Sequence, residues 1–173
     1  MCDFCSTFAL GNFGHWMKTI NTLILMCLAS LLSSCSGFSA PKAPIEKFSY
    51  NHDGTIGRNS FSWSVNRLED GSGQFIYTNH LSRDQHDLTD TIPAALMDSL
   101  EAICRTYKVH RWDGYRGDDK RVCDGTGFSL YIRYADGRTV NAHGMNKFPK
   151  NYRAFRDELY ALLMPVQERL VER

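Results

Sequence analysis

Four side chains in the C-terminal half are candidates for a ligand site: Trp112, Tyr115, Asn146 and Tyr152. Aromatic rings offer flat apolar surfaces, and an asparagine amide both donates and accepts hydrogen bonds, a combination that suits a glycan or a peptide. We predict that these side chains converge on one groove. A purely structural explanation stays open, because the Gly, Asp and Asn residues of this region also suit turns and positive φ angles.

Arrangements typical of catalysis are missing from the sequence. The histidines are scattered, without an HExxH motif or an i, i+4 pair, and no G-x-S-x-G motif occurs. We therefore predict a protein without enzymatic activity. An envelope hydrolase is the alternative, and it would require His110, Asp113 and His143 to line one cleft.

Metal and cofactor sites are not predicted. The segment from Asp113 to Asp124 resembles a calcium loop only superficially, since its ligand spacing is wrong and position 12 is Asp rather than Glu. Basic residues are frequent around this segment, and they form either a solvated face or a contact for anionic lipid or glycan surfaces. They are Arg105, Lys108, Arg111, Arg116, Lys120 and Arg121.

An apolar segment near the N-terminus ends in Leu32-Ser33-Ser34-Cys35. Residues 23–32 have the length of a signal-peptide core, which is too short to span a membrane, and Lys18 supplies the positive charge before it. This pattern resembles the lipobox of bacterial lipoproteins. The resemblance implies that residues 1–34 are a signal peptide, within which residues 1–16 are either an upstream extension before a start at Met17 or a long n-region.

The lipobox resemblance implies that Cys35 carries a diacylglycerol and an amide-linked acyl chain such as palmitate. Two or three chains hold a protein firmly on a membrane. Residues 35–44 are rich in Ser, Gly, Ala and Pro and predict a flexible tether. Because Ser36 rather than Asp follows the lipid site, the resemblance points to the outer membrane of the bacterial cell envelope, facing either the periplasm or the exterior.

Removal of residues 1–34 leaves 139 residues, enough for one domain, which we place at residues 45–173. This part has 19 basic and 18 acidic side chains, a balance that argues against a nucleic-acid partner. Cys104 and Cys123 are its remaining cysteines once Cys35 is lipidated. In an oxidising compartment we expect a disulfide between them, with two buried free thiols as the alternative.

Alternating apolar residues predict strands over residues 45–51, 61–65 and 74–78, with a turn at 69–73 and a loop over 81–91. Pro93 then opens a helix whose apolar stripe includes Leu100. A hairpin follows, with strands over 128–134 and 139–143 around Asp136-Gly137, which favours a type I′ turn. The last helix covers 151–164, because Pro165 ends or kinks it.

These elements predict an α+β fold in the order β-β-β-α-β-β-α, with an antiparallel sheet of about five strands and two helices on one face. The glycine, aromatic and Asx spacing between residues 92 and 164 is similar to domains of uncharacterised bacterial lipoproteins and secreted proteins. That similarity implies no activity. We expect a non-enzymatic binding module that contacts peptidoglycan, an envelope protein or a host factor, with an inhibitor of a hydrolase such as lysozyme as the alternative.

Overall fold

The computed structural model describes residues 39–54, 60–82, 86–119 and 125–173. The compact unit that holds the described elements spans Ala40–Arg173 and so begins before the predicted boundary at residue 45. The reason is local packing: Ala43 lies against the core, and the Ala135 N–H donates to the carbonyl of Pro44. The predicted signal peptide, Cys35 and Cys123 lie outside the described residues.

The strands are Ile45–Asp53 (β1), Phe61–Arg67 (β2), Gly73–Asn79 (β3), Leu88–Ile92 (β4), Arg116–Asp118 (β5), Gly127–Tyr134 (β6) and Thr139–Met145 (β7). They form a seven-stranded sheet in the order β4-β3-β2-β1-β6-β7-β5. Neighbours are antiparallel except for β5, which runs parallel to β7.

Two α-helices, Ala94–Thr106 (α1) and Tyr152–Val171 (α2), and a 3₁₀ helix, Val109–Trp112, complete the described fold. Register explains why both helices cover one face. Tyr50 lies opposite Trp63 on β2 and opposite Leu130 on β6, and the buried residues of all these strands join those of the helices in one core. The predicted α+β class, with a largely antiparallel sheet and two helices, is confirmed.

The predicted count of about five strands is wrong, as is the order β-β-β-α-β-β-α. The segment expected to be a loop over residues 81–91 contains β4, an edge strand whose sequence Leu-Thr-Asp-Thr-Ile buries only Ile92 fully. The other added strand, β5, has three residues, Arg-Gly-Asp, and pairs with β7 at the opposite edge. Short polar edge strands give little periodicity, so the sequence pattern missed both.

The last helix also differs from its prediction, because it continues through Pro165 to Val171. Proline removes one backbone hydrogen bond, yet Val166 and Leu170 beyond it are buried in the core. Packing of these two side chains favours the continued helix over a break.

The β6–β7 hairpin does not use the expected type I′ turn. Among its residues Gly137 has a positive φ of 83°, whereas Asp136 is not among the residues with positive φ. The Gly137 N–H donates to the Tyr134 carbonyl, and the Tyr134 N–H donates to the Arg138 carbonyl. This is a longer loop in which glycine alone takes the left-handed conformation.

Candidate functional site

Two of the four predicted ligand-site residues, Trp112 and Tyr115, line a common groove, which we call the basic groove. Its volume is about 540 Å³, within the range of small-molecule sites. It runs between the end of α1, the 3₁₀ helix and the segment before α2. The lining residues are Thr106, Tyr107, Lys108, Arg111, Trp112, Tyr115, Pro149, Lys150 and Asn151.

Two lining residues of the basic groove have a positive φ angle, in the left-handed region that glycine usually occupies. Lys108 has a φ of 54° and lies between α1 and the 3₁₀ helix, where its N–H donates to the Arg105 carbonyl. Asn151 has a φ of 67° and immediately precedes α2. Such conformations are costly for non-glycine residues and occur often at functional sites. They turn the chain sharply at both walls of the groove.

The basic groove carries an excess of positive charge. Its lining includes Lys108, Arg111 and Lys150 and no acidic side chain. The N-terminus of α2 adds the positive end of a helix dipole, and its first turn contains no acidic residue. The nearby Glu158 accepts a hydrogen bond from the Tyr107 hydroxyl at 2.5 Å. This arrangement favours an anionic ligand.

Trp112 lines the basic groove with little exposed surface. The side chain is 5 % exposed, and its ring packs edge-on against Phe155 with centroids 5.1 Å apart. Tyr115 is half-buried, and burial raises the pKa of its phenol, so the hydroxyl stays protonated at neutral pH. The lining therefore combines a nearly buried indole at Trp112 with a phenol at Tyr115 whose hydroxyl can donate and accept hydrogen bonds.

Asn146, the third predicted residue, has a structural role. Its side-chain Oδ1 accepts a hydrogen bond from the Thr126 N–H at 3.0 Å, and its own φ is 60°. Gly125 lies so close to Asn146 that a Cβ at position 125 would collide with the amide group of this side chain. Asn146 holds the segment that enters β6 and does not line the basic groove.

Tyr152, the fourth predicted residue, belongs to the core. It is 4 % exposed, and its hydroxyl is 2.8 Å from the hydroxyl of Tyr50. Its ring stacks on Phe148 with centroids 4.6 Å apart and an interplanar angle of 10°. The structure thus unites Trp112 with Tyr115 in the groove. The Tyr152 ring contacts the Trp112 ring from within the core, with centroids 6.2 Å apart, and Asn146 has another partner.

No described cavity brings together the residues required by the hydrolase alternative, although Asp113 and His143 lie in neighbouring segments. His110 lines a small cavity of about 20 Å³ together with Cys104. Asp113 accepts a hydrogen bond from the Asn141 N–H at 2.9 Å, and His143 is exposed on β7. Neither the small cavity nor the basic groove contains two of the three.

Cys104 on α1 is buried and forms no disulfide with any residue that the structure describes. Burial, and then the neighbouring Glu101, raises the pKa of its thiol to about 12, so it is protonated at neutral pH. Its expected partner, Cys123, lies outside the described residues, and the disulfide between them stays a prediction.

A second concave region, which we call the aromatic pocket, lies where β1 ends, β2 begins and β3 ends, beneath α2. Its volume is about 330 Å³. The lining residues are His52, Ser60, Phe61, Tyr77, Asn79, Leu81, Tyr160, Met164 and Gln167. Sequence reasoning missed it, because Phe61 and Tyr77 fit ordinary strand positions and Tyr160 comes from a helix about a hundred residues away in the sequence.

Metal sites and membrane spans are not found in the part of the chain that the structure describes. No group of three His, Cys, Asp or Glu side chains among those residues is placed to hold a metal ion. Neither described helix is long and apolar enough to cross a bilayer.

No protein-family model matches this sequence, and no curated protein matches it.

Proposed function

We propose that this chain is a lipid-anchored, non-enzymatic binding module of the bacterial cell envelope, and that the basic groove binds a carboxylate-bearing glycan or peptide. Peptidoglycan is the envelope polymer with that chemistry. The observation that carries the proposal is the lining of the groove, where three cationic side chains and three aromatic ones occur without an acidic residue.

The cationic side chains of the basic groove lie on both of its walls. Lys108 and Arg111 are exposed on one wall and Lys150 is exposed on the other, so an anion between the walls is close to cations from both sides. Arginine binds a carboxylate through two parallel hydrogen bonds, while lysine contributes a compact positive charge. A chain of repeating carboxylates suits such a groove better than a neutral ligand does.

The aromatic side chains of the basic groove add apolar surface for the ligand. Tyr107 and Tyr115 are half-buried, so each exposes part of a ring beside the cations. Aromatic surfaces accept the apolar faces of sugar rings and of peptide side chains, while the charges fix the orientation of the ligand. A glycan or peptide with free carboxylates combines both requirements.

The proposed anchor comes from the lipobox resemblance and is independent of the groove. Its test is the intact mass of protein purified from membranes, unfolded in denaturant and capped at its thiols before and after reduction. A diacylated or triacylated mass that begins at Cys35 supports the anchor, and an unlipidated mass that retains earlier residues contradicts it. Two additional caps after reduction would establish the Cys104–Cys123 disulfide.

The test of the groove uses soluble peptidoglycan fragments with free carboxylates, titrated into the wild type and into Lys108→Asn and Lys150→Gln variants. Asparagine tolerates the left-handed backbone at position 108, so this change removes the charge without new strain. Arg169→Gln is the matched control, since this exposed residue lies on the same helix, near the end opposite the groove.

Each groove variant is expected to weaken binding by about two- to fivefold, and the pair by more, because each removes one cation from the groove. The control variant should bind as the wild type does, and fragments with amidated carboxylates should bind weakly to all of them. Equal binding of amidated and free fragments, or wild-type affinity in the double variant, would contradict the proposal.

A further inference from the structure

We infer that the aromatic pocket is a second binding site, specific for a neutral hydroxylated ring such as a pyranose sugar. This inference goes beyond the proposed function, because it concerns another region and another class of ligand. It holds or fails independently of whether the basic groove binds an anion.

The walls of the aromatic pocket are rings contributed by three strands and a helix. His52 lies directly opposite Phe61 in the β1–β2 pairing, with ring centroids 5.3 Å apart. Tyr160 on α2 packs on the same two side chains, at 6.2 Å from His52 and 6.0 Å from Phe61. Such a cluster provides apolar surface for a ring-shaped ligand.

The walls are also held in place from behind. The Trp63 indole N–H donates to the Gln167 side chain at 2.8 Å, and the Trp63 ring packs edge-on against Tyr160 with centroids 5.1 Å apart. Trp63 is fully buried. Because β2 and α2 are joined by this contact, the pocket is preformed, as small-molecule sites usually are.

Polar atoms of the pocket residues are not fully satisfied within the described part of the chain. His52 Nδ1 has no hydrogen-bond partner there. The Tyr160 hydroxyl has the neighbouring Tyr50 hydroxyl as a partner, and Tyr50 is also bonded to Tyr152 at 2.8 Å. Buried polar groups are nearly always satisfied in native proteins, so the open His52 Nδ1, beside a Tyr160 hydroxyl that can form a second hydrogen bond, indicates a partner from outside the chain.

The chemistry of the lining indicates a neutral partner. His52 is its only titratable side chain apart from the two tyrosines, and it contains no Lys, Arg, Asp or Glu. Burial first, and then Arg156, lowers the pKa of His52, while Asp53 acts in the opposite direction. A neutral imidazole and a phenol each both donate and accept hydrogen bonds, as a sugar hydroxyl requires.

Polar groups at the rim of the pocket can also form hydrogen bonds with a hydroxylated ligand. Ser60 and Asn79 lie at the pocket with the partly exposed Leu81, and the Asn79 side-chain oxygen accepts a hydrogen bond from the Leu81 N–H at 2.9 Å. The faces of a sugar ring would pack on the aromatic walls of the pocket. The hydroxyl groups around its edge would form hydrogen bonds with the neutral polar side chains. The lining offers no counter-ion to a charged ligand, and a purely apolar ligand would leave His52 Nδ1 unsatisfied.

The experiment is a nuclear magnetic resonance titration of the full chain with glucose, with N-acetylglucosamine and with its β-1,4-linked disaccharide. Phenol serves as an aromatic probe without a hydroxylated ring. Tyr160→Phe removes the hydroxyl at the pocket while keeping the ring, and Leu81→Trp adds bulk at the mouth without changing the core. Tyr131→Phe is the matched control, because Tyr131 is half-buried on β6 and outside the pocket lining.

A saturable shift of the His52 and Tyr160 signals with at least one sugar is expected, below about 50 mM ligand. Tyr160→Phe should weaken it about three- to tenfold, which corresponds to one lost hydrogen bond. Leu81→Trp should weaken it too, and Tyr131→Phe should not. Stronger binding of the disaccharide identifies a glycan chain as the source of the ring, whereas equal binding identifies a free sugar.

The inference is overturned if none of the three sugars produces a saturable shift, if phenol alone does, or if Tyr160→Phe and Leu81→Trp both bind sugar as the wild type does. The thermal stability of Tyr160→Phe is measured alongside the titration. An unchanged or higher melting temperature shows that a loss of binding comes from the missing hydroxyl and not from a damaged fold.

Discussion

The basic groove and the aromatic pocket lie along the same helix, yet they are built in opposite ways. The groove lies at the N-terminus of α2 and presents exposed cations on sharply turned backbone. The pocket lies further along α2 and is formed by rings that continue into the hydrophobic core, with no ionised acid or base in its lining. The proposed ligands differ accordingly: an anion at the groove, and a neutral hydroxylated ring at the pocket.

The two sites should contribute very differently to the free energy of unfolding. Trp63 is fully buried behind the aromatic pocket, so Trp63→Ala should reduce the free energy of unfolding by about 3–5 kcal/mol. Arg111 is exposed at the basic groove, so Arg111→Ala should change it by no more than about 0.5 kcal/mol. Denaturant unfolding measures both, and similar losses for the two variants would show that the groove is as much a part of the core as the pocket.

Ligand binding at the two sites should respond differently to ionic strength. Raising salt from about 0.1 to about 1 M shortens the Debye length from about 10 to about 3 Å, which screens exposed charges. Binding of carboxylate-bearing fragments at the groove should fall about tenfold, whereas sugar binding at the pocket should stay the same. Titrations at both salt concentrations check this, and a salt-independent groove would remove the electrostatic basis of the proposed function.

The pH dependence of stability should report on the pocket. The pKa of His52 is lowered in the folded protein from its ordinary value of 6.5, so the unfolded chain binds more protons as the pH falls. The stabilisation is complete above about pH 6.5 and is lost as the pH falls toward the folded pKa. His52→Phe should flatten this part of the stability profile. An unchanged slope would mean that His52 is not held neutral.

The smallest expected effect concerns the backbone of the groove. Lys108 has a left-handed conformation, so Lys108→Gly should raise the free energy of unfolding, by less than about 1 kcal/mol. The same variant should bind anionic fragments more weakly, because it removes a cation. Denaturant unfolding and titration of the one variant give both values. Destabilisation instead would show that the lysine side chain contributes more to packing than its backbone costs.

Much of the fold follows from local sequence patterns, and its exceptions have physical causes. Period-two alternation predicted β1, β2 and β3, and the apolar stripe after Pro93 predicted α1. The strand β4 was missed because only Ile92 is fully buried in it. The predicted end of α2 at Pro165 is wrong because Leu170, beyond the proline, is buried in the core and favours the continued helix. Tertiary packing in both places outweighs the local signal.

The sites were less predictable than the fold. Trp112 and Tyr115 lie close together in the sequence, and their shared groove follows from that short spacing. Asn146 resembled a binding residue, yet its amide is used to hold the backbone at Thr126. The aromatic pocket depends on the meeting of β1, β2, β3 and α2, which only the sheet order reveals.

The measurement that tests the central claim most directly is co-sedimentation of the full chain with purified peptidoglycan. The wild type, the Lys108→Asn/Lys150→Gln double variant and Tyr160→Phe are compared at equal concentration. We expect the wild type and Tyr160→Phe to pellet with the polymer and the double variant to stay largely in solution, because its groove has lost two of three cations. Equal pelleting of the double variant and the wild type would contradict the account.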